Sequence, residues 1–357
     1  MIVSLPRYRE GMSVLASVSD GVGHLTLDRP DALNALTLDM VRELTASLDD
    51  WRSDAEVALV VLDGAGDRGF CAGGDIRNLY GLVSTGQGGE AVHFFEEEYR
   101  LDAAIHEFPK PVVALMDGVT MGGGVGLAGH ASIRIVTERS RVAMPETRIG
   151  FTPDVGGSWL LGRAPGRIGE FLALTSSTMT GADAIYAGFA DYFLESDRLP
   201  HLRRALAERA DPGSPSEIVL LFDDTPGPSE LEANRSWIDE AFSGDTVADI
   251  LDRLRALGTE AALAALAEIE KNSPTALVVS LASVRAAREL PDLRAALEQE
   301  LRLVTWFFEQ PDLTEGIRAQ VIDKDRTPRW NPATLAEVAP TTADSALHHD
   351  VPTALWP

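Results

Sequence analysis

The chain has 357 residues, 45% hydrophobic and 24% charged, a balance that supports sizeable cores, and its length suggests two domains or one large domain with an appendage, at roughly 100–200 residues each. Thirty-one Lys and Arg against 55 Asp and Glu leave a net charge of −24, which repels nucleic acid and anionic membranes. The one cysteine, Cys71, excludes a disulfide framework and a structural zinc site, and no apolar run, the opening MIVSLPRYRE included, approaches the roughly 20 residues of a membrane span; a soluble, unexported, cytoplasmic protein is expected.

From Val14 to about Ala190 short apolar runs alternate with amphipathic stretches, the pattern of an α/β fold. Val22–Asp28 reads as a strand closed by Pro30. Thr37 is placed to cap a helix in which Leu38, Val41, Leu44, Leu48 and Trp51 recur at helical spacing. The run VALVVL (57–62) is a compact strand, Glu90–Glu107 a second helix, and VVALM (112–116) and Ile133–Val136 are further strands. Beyond Tyr192 the texture changes: DPGSPSE (211–217) and DDTPGPSE (223–230) favour loops, so 201–230 reads as an acidic connector rich in Pro and Gly. The stretch 231–330 is expected to be helical, with Ala, Leu, Glu and Arg dominant and no strand pattern, and 331–357 to be weakly ordered.

Three segments have a composition suited to chemistry. Phe70-Cys71-Ala72-Gly73-Gly74-Asp75 follows a strand, and its small residues let backbone approach a ligand. Met121-Gly122-Gly123-Gly124-Val125-Gly126 stands at the expected start of a helix, where exposed amides suit an anion or a developing oxyanion; tight turns with close packing are the plainer reading of either segment alone. Gly124-Val125-Gly126-Leu127-Ala128-Gly129 also matches the dinucleotide fingerprint, but it begins too far beyond its strand, and Glu138 and Glu146 are poorly placed to bind a ribose. The third segment, Met144 to Gly157, carries Glu146 and Asp154 among Met144, Ile149, Phe151 and Val155, apolar surroundings that suit a carboxyl to acid or base work; alternatively Glu146 caps a turn and Asp154 caps a helix through Ser158–Leu161.

Read together and in this order, these segments resemble the crotonase superfamily of enoyl-CoA hydratases and isomerases over most of the chain. The resemblance implies a ββα spiral core over 12–200, followed by a helical region that in this superfamily covers the acyl pocket and builds contacts of a homo-oligomer. It makes Arg29 to Leu36, with Ala32, a CoA-binding segment, and Ala72-Gly73-Gly74-Asp75 and Gly122-Gly123-Gly124 the two oxyanion loops, with the amides of Gly74 and Gly123 as donors. Within the superfamily the match is to the acyl-CoA hydrolase branch: Phe70 to Arg77, Met121 to Leu127, Met144 to Thr147, Pro153 to Gly157, Glu315 to Ala319 and Ile322 to Asp325 all look like it. Hydratases carry a second catalytic glutamate where this chain has Gly126, whereas Asp154 matches the acid of the hydrolase branch and Glu98 one of its substrate-contacting residues, beside Ala72 and Asp75.

The implied activity is hydrolysis of a short branched 3-hydroxyacyl-CoA such as 3-hydroxyisobutyryl-CoA, as in valine degradation, with Glu146 as nucleophile or base and Asp154 orienting the hydroxyl or moving protons. No metal or bound cofactor is expected, since CoA is part of the substrate; Arg29, Arg77 and Lys324 are candidates to meet its phosphates. A hydratase or isomerase using Glu146 alone and a silent acyl-CoA-binding protein are the alternative readings.

Overall fold

A computed structural model describes residues 13–208 and 215–356. Its strands are β1 (Val14–Ser19), β2 (Val22–Leu27), β3 (Leu59–Gly64), β4 (Gly69–Cys71), β5 (Val112–Met116), β6 (Val119–Met121), β7 (Ile133–Val136), β8 (Arg141–Ala143) and β9 (Tyr192–Phe193). The helices of the N-terminal half are α1 (Leu38–Arg52), α2 (Ile76–Ser84), α3 (Gly88–His106), α4 (Gly123–Gly129), α5 (Gly157–Arg163), α6 (Ile168–Thr175) and α7 (Gly181–Tyr186). They are followed by α8 (Leu199–Glu208), α9 (Pro215–Leu220), α10 (Glu230–Ala241), α11 (Val247–Leu257), α12 (Glu260–Ile269), α13 (Pro274–Ala287), α14 (Leu293–Phe307), α15 (Pro311–Ile317) and α16 (Thr342–Leu347). No helix among the described residues is long and apolar enough to cross a membrane.

The chain forms two compact units that alternate along the sequence. One takes the described residues up to Gly74, with Glu97–Val142 and Met179–Ser229; the other takes Asp75–Glu96, Ala143–Thr178 and the described residues from Glu230 onward. The first unit is built on a six-stranded sheet in the order β1-β2-β3-β5-β7-β9. Asp20 and Gly21, both at positive φ, form the two-residue turn that makes β1 and β2 an antiparallel hairpin; every later pair in this sheet is parallel. Parallel strands covered on both faces read as continuous apolar runs, and β5 is buried at all five positions. Thr37 caps α1 as expected, accepting the Met40 amide at 3.3 Å. A second sheet, β4-β6-β8, consists of strands of three residues each, too short for a period in the sequence to reveal.

Two expectations are corrected. The stretch 201–230 is not simply a connector: α8 and α9 send Leu202, Leu206, Ile218 and Val219 onto Val22, Leu59, Val61, Val113, Ile133 and Ile135 of the sheet, and the loop-forming composition had masked this spacing. Residues 209–214, which include Pro212 and Gly213 of the first loop-favouring run, lie outside the described residues. The stretch 331–357 carries α16 and a 3-10 turn, Leu335–Glu337, closed by a Thr334/Glu337 capping box. Ala346 and Leu355 are buried there, and Trp356 sits 4.5 Å under the Arg294 guanidinium; single anchors of this kind leave no periodic signal.

The second unit centres on α13, which opens with Ser273 as cap and Pro274 at its first position and is buried almost all round. Packed on it are α5, α6, α14 and α16, and Glu170 of α6, fully buried, is met by Arg167, Arg285 and Arg288.

Candidate active site

In the first unit two glycine loops meet. Asn34 is fully buried in left-handed backbone (φ 56°); its Nδ2 donates to the Ala65 and Gly69 carbonyls at 3.0 and 3.1 Å, and its Oδ1 accepts the Arg29 amide at 2.9 Å. The segment so fixed binds the first loop, with Leu36 N–H donating to the Gly73 carbonyl at 2.8 Å and Ala72 N–H to the Leu33 carbonyl at 3.0 Å. Leu36 and Gly74 therefore form a parallel bridge, in which the residue facing the bonded partner turns its own amide to the other side. On that side Gly74 N lies 3.4 Å from where a Cβ on Gly123 would sit.

Gly73 has φ +99°, and a Cβ there would come within 3.0 Å of the Met121 carbonyl, so only glycine serves. Gly123 is the first residue of α4, where an amide has no carbonyl in a preceding turn to bond. A side chain on Gly123 would overlap Glu98 Oε1 and approach Leu36 Cδ1 to 3.1 Å. Gly74, Gly123 and the buried Glu98 carboxyl are thus brought together.

Close by, Cys71 donates Sγ–H to the Asn34 carbonyl at 3.2 Å; burial pushes its thiol up to about 12, so it stays neutral and is no nucleophile. The glycines of the dinucleotide-like pattern lie inside α4, not at a strand end. A Cβ on Gly124 would overlap the Cys71 carbonyl, so that glycine serves close packing of α4 on β4.

In the second unit Pro145 leads into a 3-10 turn, Glu146–Ile149, with Glu146 at its first position and 6% exposed. Thr147 Oγ1 donates to the Ala173 carbonyl at 3.0 Å and accepts Asn272 Nδ2 at 3.3 Å, and Phe151 N–H donates back to the Glu146 carbonyl at 3.0 Å. The late Glu315-Gly316-Ile317-Arg318 segment lies against this turn, because Gly316 lets α15 approach so near that a Cβ there would overlap the Ile149 carbonyl. Asp154, 4% exposed, opens a second turn through Val155 (φ 53°) and Gly156 (φ 73°). A β-branched residue in left-handed backbone costs about 1–3 kcal/mol and persists only where its surroundings hold it.

Glu300 of α14, fully buried, bonds the residues that follow. Its Oε2 accepts Gly156 N–H at 2.6 Å, and its Oε1 accepts Ser158 N–H at 2.9 Å and Ser158 Oγ–H at 2.5 Å. Burial pushes Glu300 up to about 8 against these bonds, and the negative charge of Asp154 pushes the same way. The cap of α5 is accordingly Gly156, not Asp154, which corrects the helix-cap reading of that acid. Between the two acids Phe151 packs on Phe95, Phe307 and Phe308 at ring distances of 5.9, 5.5 and 6.4 Å, an apolar setting.

The remaining predicted residues are more scattered. Ala32 ends an exposed 3-10 turn and Ala72 is half-buried. Asp75 caps α2 by accepting the Asn78 amide at 3.4 Å. Arg29 donates to the Ala35 carbonyl, Arg77 to the Val321 carbonyl at 3.0 Å, and Lys324 is exposed at φ 57°. No group of three His, Cys, Asp or Glu among the described residues is arranged to hold a metal ion. Sequence reasoning missed Glu300 and Asn272, whose Nδ2 also donates to the Leu174 carbonyl at 2.8 Å. Glu300 had a signal, as a lone charge on the face of α14 that also carries Leu293, Ala296, Leu297, Val304 and Phe307.

The parallel sheet, the glycine loops and the buried carboxyls define an α/β protein of crotonase-like fold. The chain belongs to the enoyl-CoA hydratase/isomerase family, whose profile matches residues 22–347. It is 39% identical over 343 residues to the mitochondrial 3-hydroxyisobutyryl-CoA hydrolase of Gallus gallus, covering 94% of this chain and 88% of that one. To the enzyme of the same name from Homo sapiens it is 40% identical over 333 residues, covering 91% and 86%. Among solved structures, a carnitinyl-CoA dehydratase from Mycobacterium thermoresistibile shares 44% identity at a TM-score of 0.92, over 96% of this chain and 98% of that one. An enoyl-CoA hydratase from Rhodobacter sphaeroides 2.4.1 shares 44% at 0.89, over 95% and 98%. The expectation of a cytoplasmic protein is overturned by the mitochondrial relatives. Its premise, a single reduced cysteine, does not tell one reducing compartment from another.

Proposed function

We propose that the protein hydrolyses the thioester of 3-hydroxyisobutyryl-CoA to the free acid and CoA, a step of valine catabolism. The observation that carries this reading is similarity to 3-hydroxyisobutyryl-CoA hydrolases over about nine-tenths of the chain. In the proposed reaction the Gly74 and Gly123 amides receive the oxyanion, and Glu98 with Ala32, Ala72 and Asp75 contacts the substrate. Glu146 either attacks the carbonyl, expelling the CoA thiolate and leaving an anhydride that water opens, or takes a proton from the attacking water. Label in the Glu146 carboxylate after a single turnover in ¹⁸O water marks the anhydride route, opened by attack on the Glu146 carbonyl, whereas the general-base route labels only the released acid. Asp154 orients the 3-hydroxyl or relays protons. No metal or bound cofactor takes part, and a homo-oligomer is the proposed assembly.

A hydratase or dehydratase is the second reading, favoured by the names of the two solved structures at 44% identity. Hydration needs water held between two carboxylates, and position 126, where the second is expected from the resemblance, is a buried glycine of α4. Thiol release from 3-hydroxyisobutyryl-CoA, followed in parallel with enoyl absorbance on crotonyl-CoA, decides. The hydrolase reading requires thiol release on the first substrate with far slower loss of absorbance on the second. Loss of absorbance without thiol release overturns it, and inertness toward both substrates favours a silent binding protein.

A further inference from the structure

The buried face of α14 would be filled at less cost by leucine at position 300 than by a carboxyl, because an ionisable group taken out of water must be repaid by its partners. Glu300 bonds one short segment, the Gly156 and Ser158 amides and the Ser158 hydroxyl, next to the left-handed Val155. Two amide N–H donors and the Ser158 hydroxyl face it from that segment, a set that the two oxygens of one carboxyl meet together. The charged group acting on it is Asp154; α5 meets it with the amide and hydroxyl of Ser158, and α13 meets the neighbouring Gln299 with Ser283.

We propose that Glu300 is a positioning residue for Asp154: by fastening Gly156 and Ser158 it holds Val155 in left-handed backbone and so fixes the direction of the Asp154 carboxyl. This rests on the reading in which Asp154 serves thioester hydrolysis. A residue that only stabilised the fold would be replaceable at a cost in melting temperature alone, whereas a positioning residue also changes turnover and the NMR signature of the group it positions.

The test uses Glu300→Gln and Ser158→Ala in the full chain. The two amides bond different oxygens of Glu300, and glutamine puts an NH2 in place of one of them, so it cannot hold both amides. Glu300→Gln is expected to lower kcat for CoA release by about 10–100-fold with KM changed by less than about threefold, the scale of a misplaced catalytic group. Its Asp154 carboxyl carbon, followed by NMR, is expected to move from its wild-type chemical shift and to broaden, because the turn that directs it is no longer fastened. The amides of 155–158 are expected to exchange hydrogen faster. Ser158→Ala removes one of the three donors and is expected to move each readout the same way by less; it decides the matter should Glu300→Gln not fold. A folded variant with wild-type kcat and a wild-type Asp154 carboxyl resonance, or one whose loss is confined to melting temperature, overturns the proposal. Should the wild type release no thiol, the hydrolase reading falls while the Asp154 carboxyl resonance and the amide exchange, which need no substrate, still judge the role of Glu300.

Discussion

Gly316→Ala places a methyl where the Ile149 carbonyl carbon and oxygen already are, 2.7 Å from the Ile149 Cα. These are backbone atoms with no rotamer to swing, so restoring ordinary separations of about 3.5–4 Å requires α15 or the Glu146–Ile149 turn to retreat by about 1 Å. Overpacking of this kind costs about 1–3 kcal/mol, and at about 2–4 °C per kcal/mol for a unit of this size the melting temperature should fall by several degrees. The effect on turnover should be disproportionate. A 1 Å displacement of the Glu146 turn is worth about 100-fold in rate, or about 2.7 kcal/mol of barrier. Thiol release from 3-hydroxyisobutyryl-CoA below the melting range, set beside calorimetry, separates the two losses. A variant that melts several degrees early yet keeps kcat within twofold of the wild type would show that α15 supports the fold but does not locate Glu146.

Glu146→Gln should keep the fold and the affinity for CoA esters and lose turnover by orders of magnitude, as single-turnover thiol release with parallel ligand binding will read; near-normal hydrolysis would remove Glu146 from its role. Glu300 titrates near 4.5 when unfolded and at about 8 when folded, so the folded state holds the proton more tightly, and this contribution to stability is lost as pH rises from about 4.5 through about 8. Urea midpoints at pH 5, 6.5 and 8.5 should therefore show wild type losing ground to Glu300→Gln across that window, by up to ~1.4 kcal/mol per pH unit; parallel curves would contradict the burial argument. The buried, neutral Cys71 should be silent toward thiol reagents in the folded protein and report one thiol per chain after denaturation, so that thiol colour in an assay of folded enzyme comes from CoA alone.

Legibility in the sequence followed the length of the repeating pattern. The run 112–116 and the Thr37-capped helix were readable because several residues in register carry one signal. The strands β4, β6 and β8 were not, since three residues cannot establish a period, yet they carry both glycine loops. Glu146 and Asp154 stood out as acids among apolar neighbours, while Gly74 and Gly123 gained meaning only from resemblance; that their loops abut depends on the Leu36 bridge, a contact across many residues. Glu300 was legible as a charge in an apolar stripe but its purpose was not, because its partners lie 142 and 144 positions away along the chain.

The alternation of the two units along the chain has a consequence for synthesis. Once translation has passed Ser229 every segment of the first unit exists, while the second has only Asp75–Glu96 and Ala143–Thr178. Until the last third emerges, Phe151 lacks Phe307 and Phe308, and α5 and α6 lack α13. A nascent chain paused at that point therefore displays sticky, half-built surface of the kind that recruits chaperones or aggregates. Truncation near residue 230 should accordingly yield an insoluble fragment, not a free-standing module, and slow codons just downstream of that point should lower the yield of native protein more than the same codons placed elsewhere.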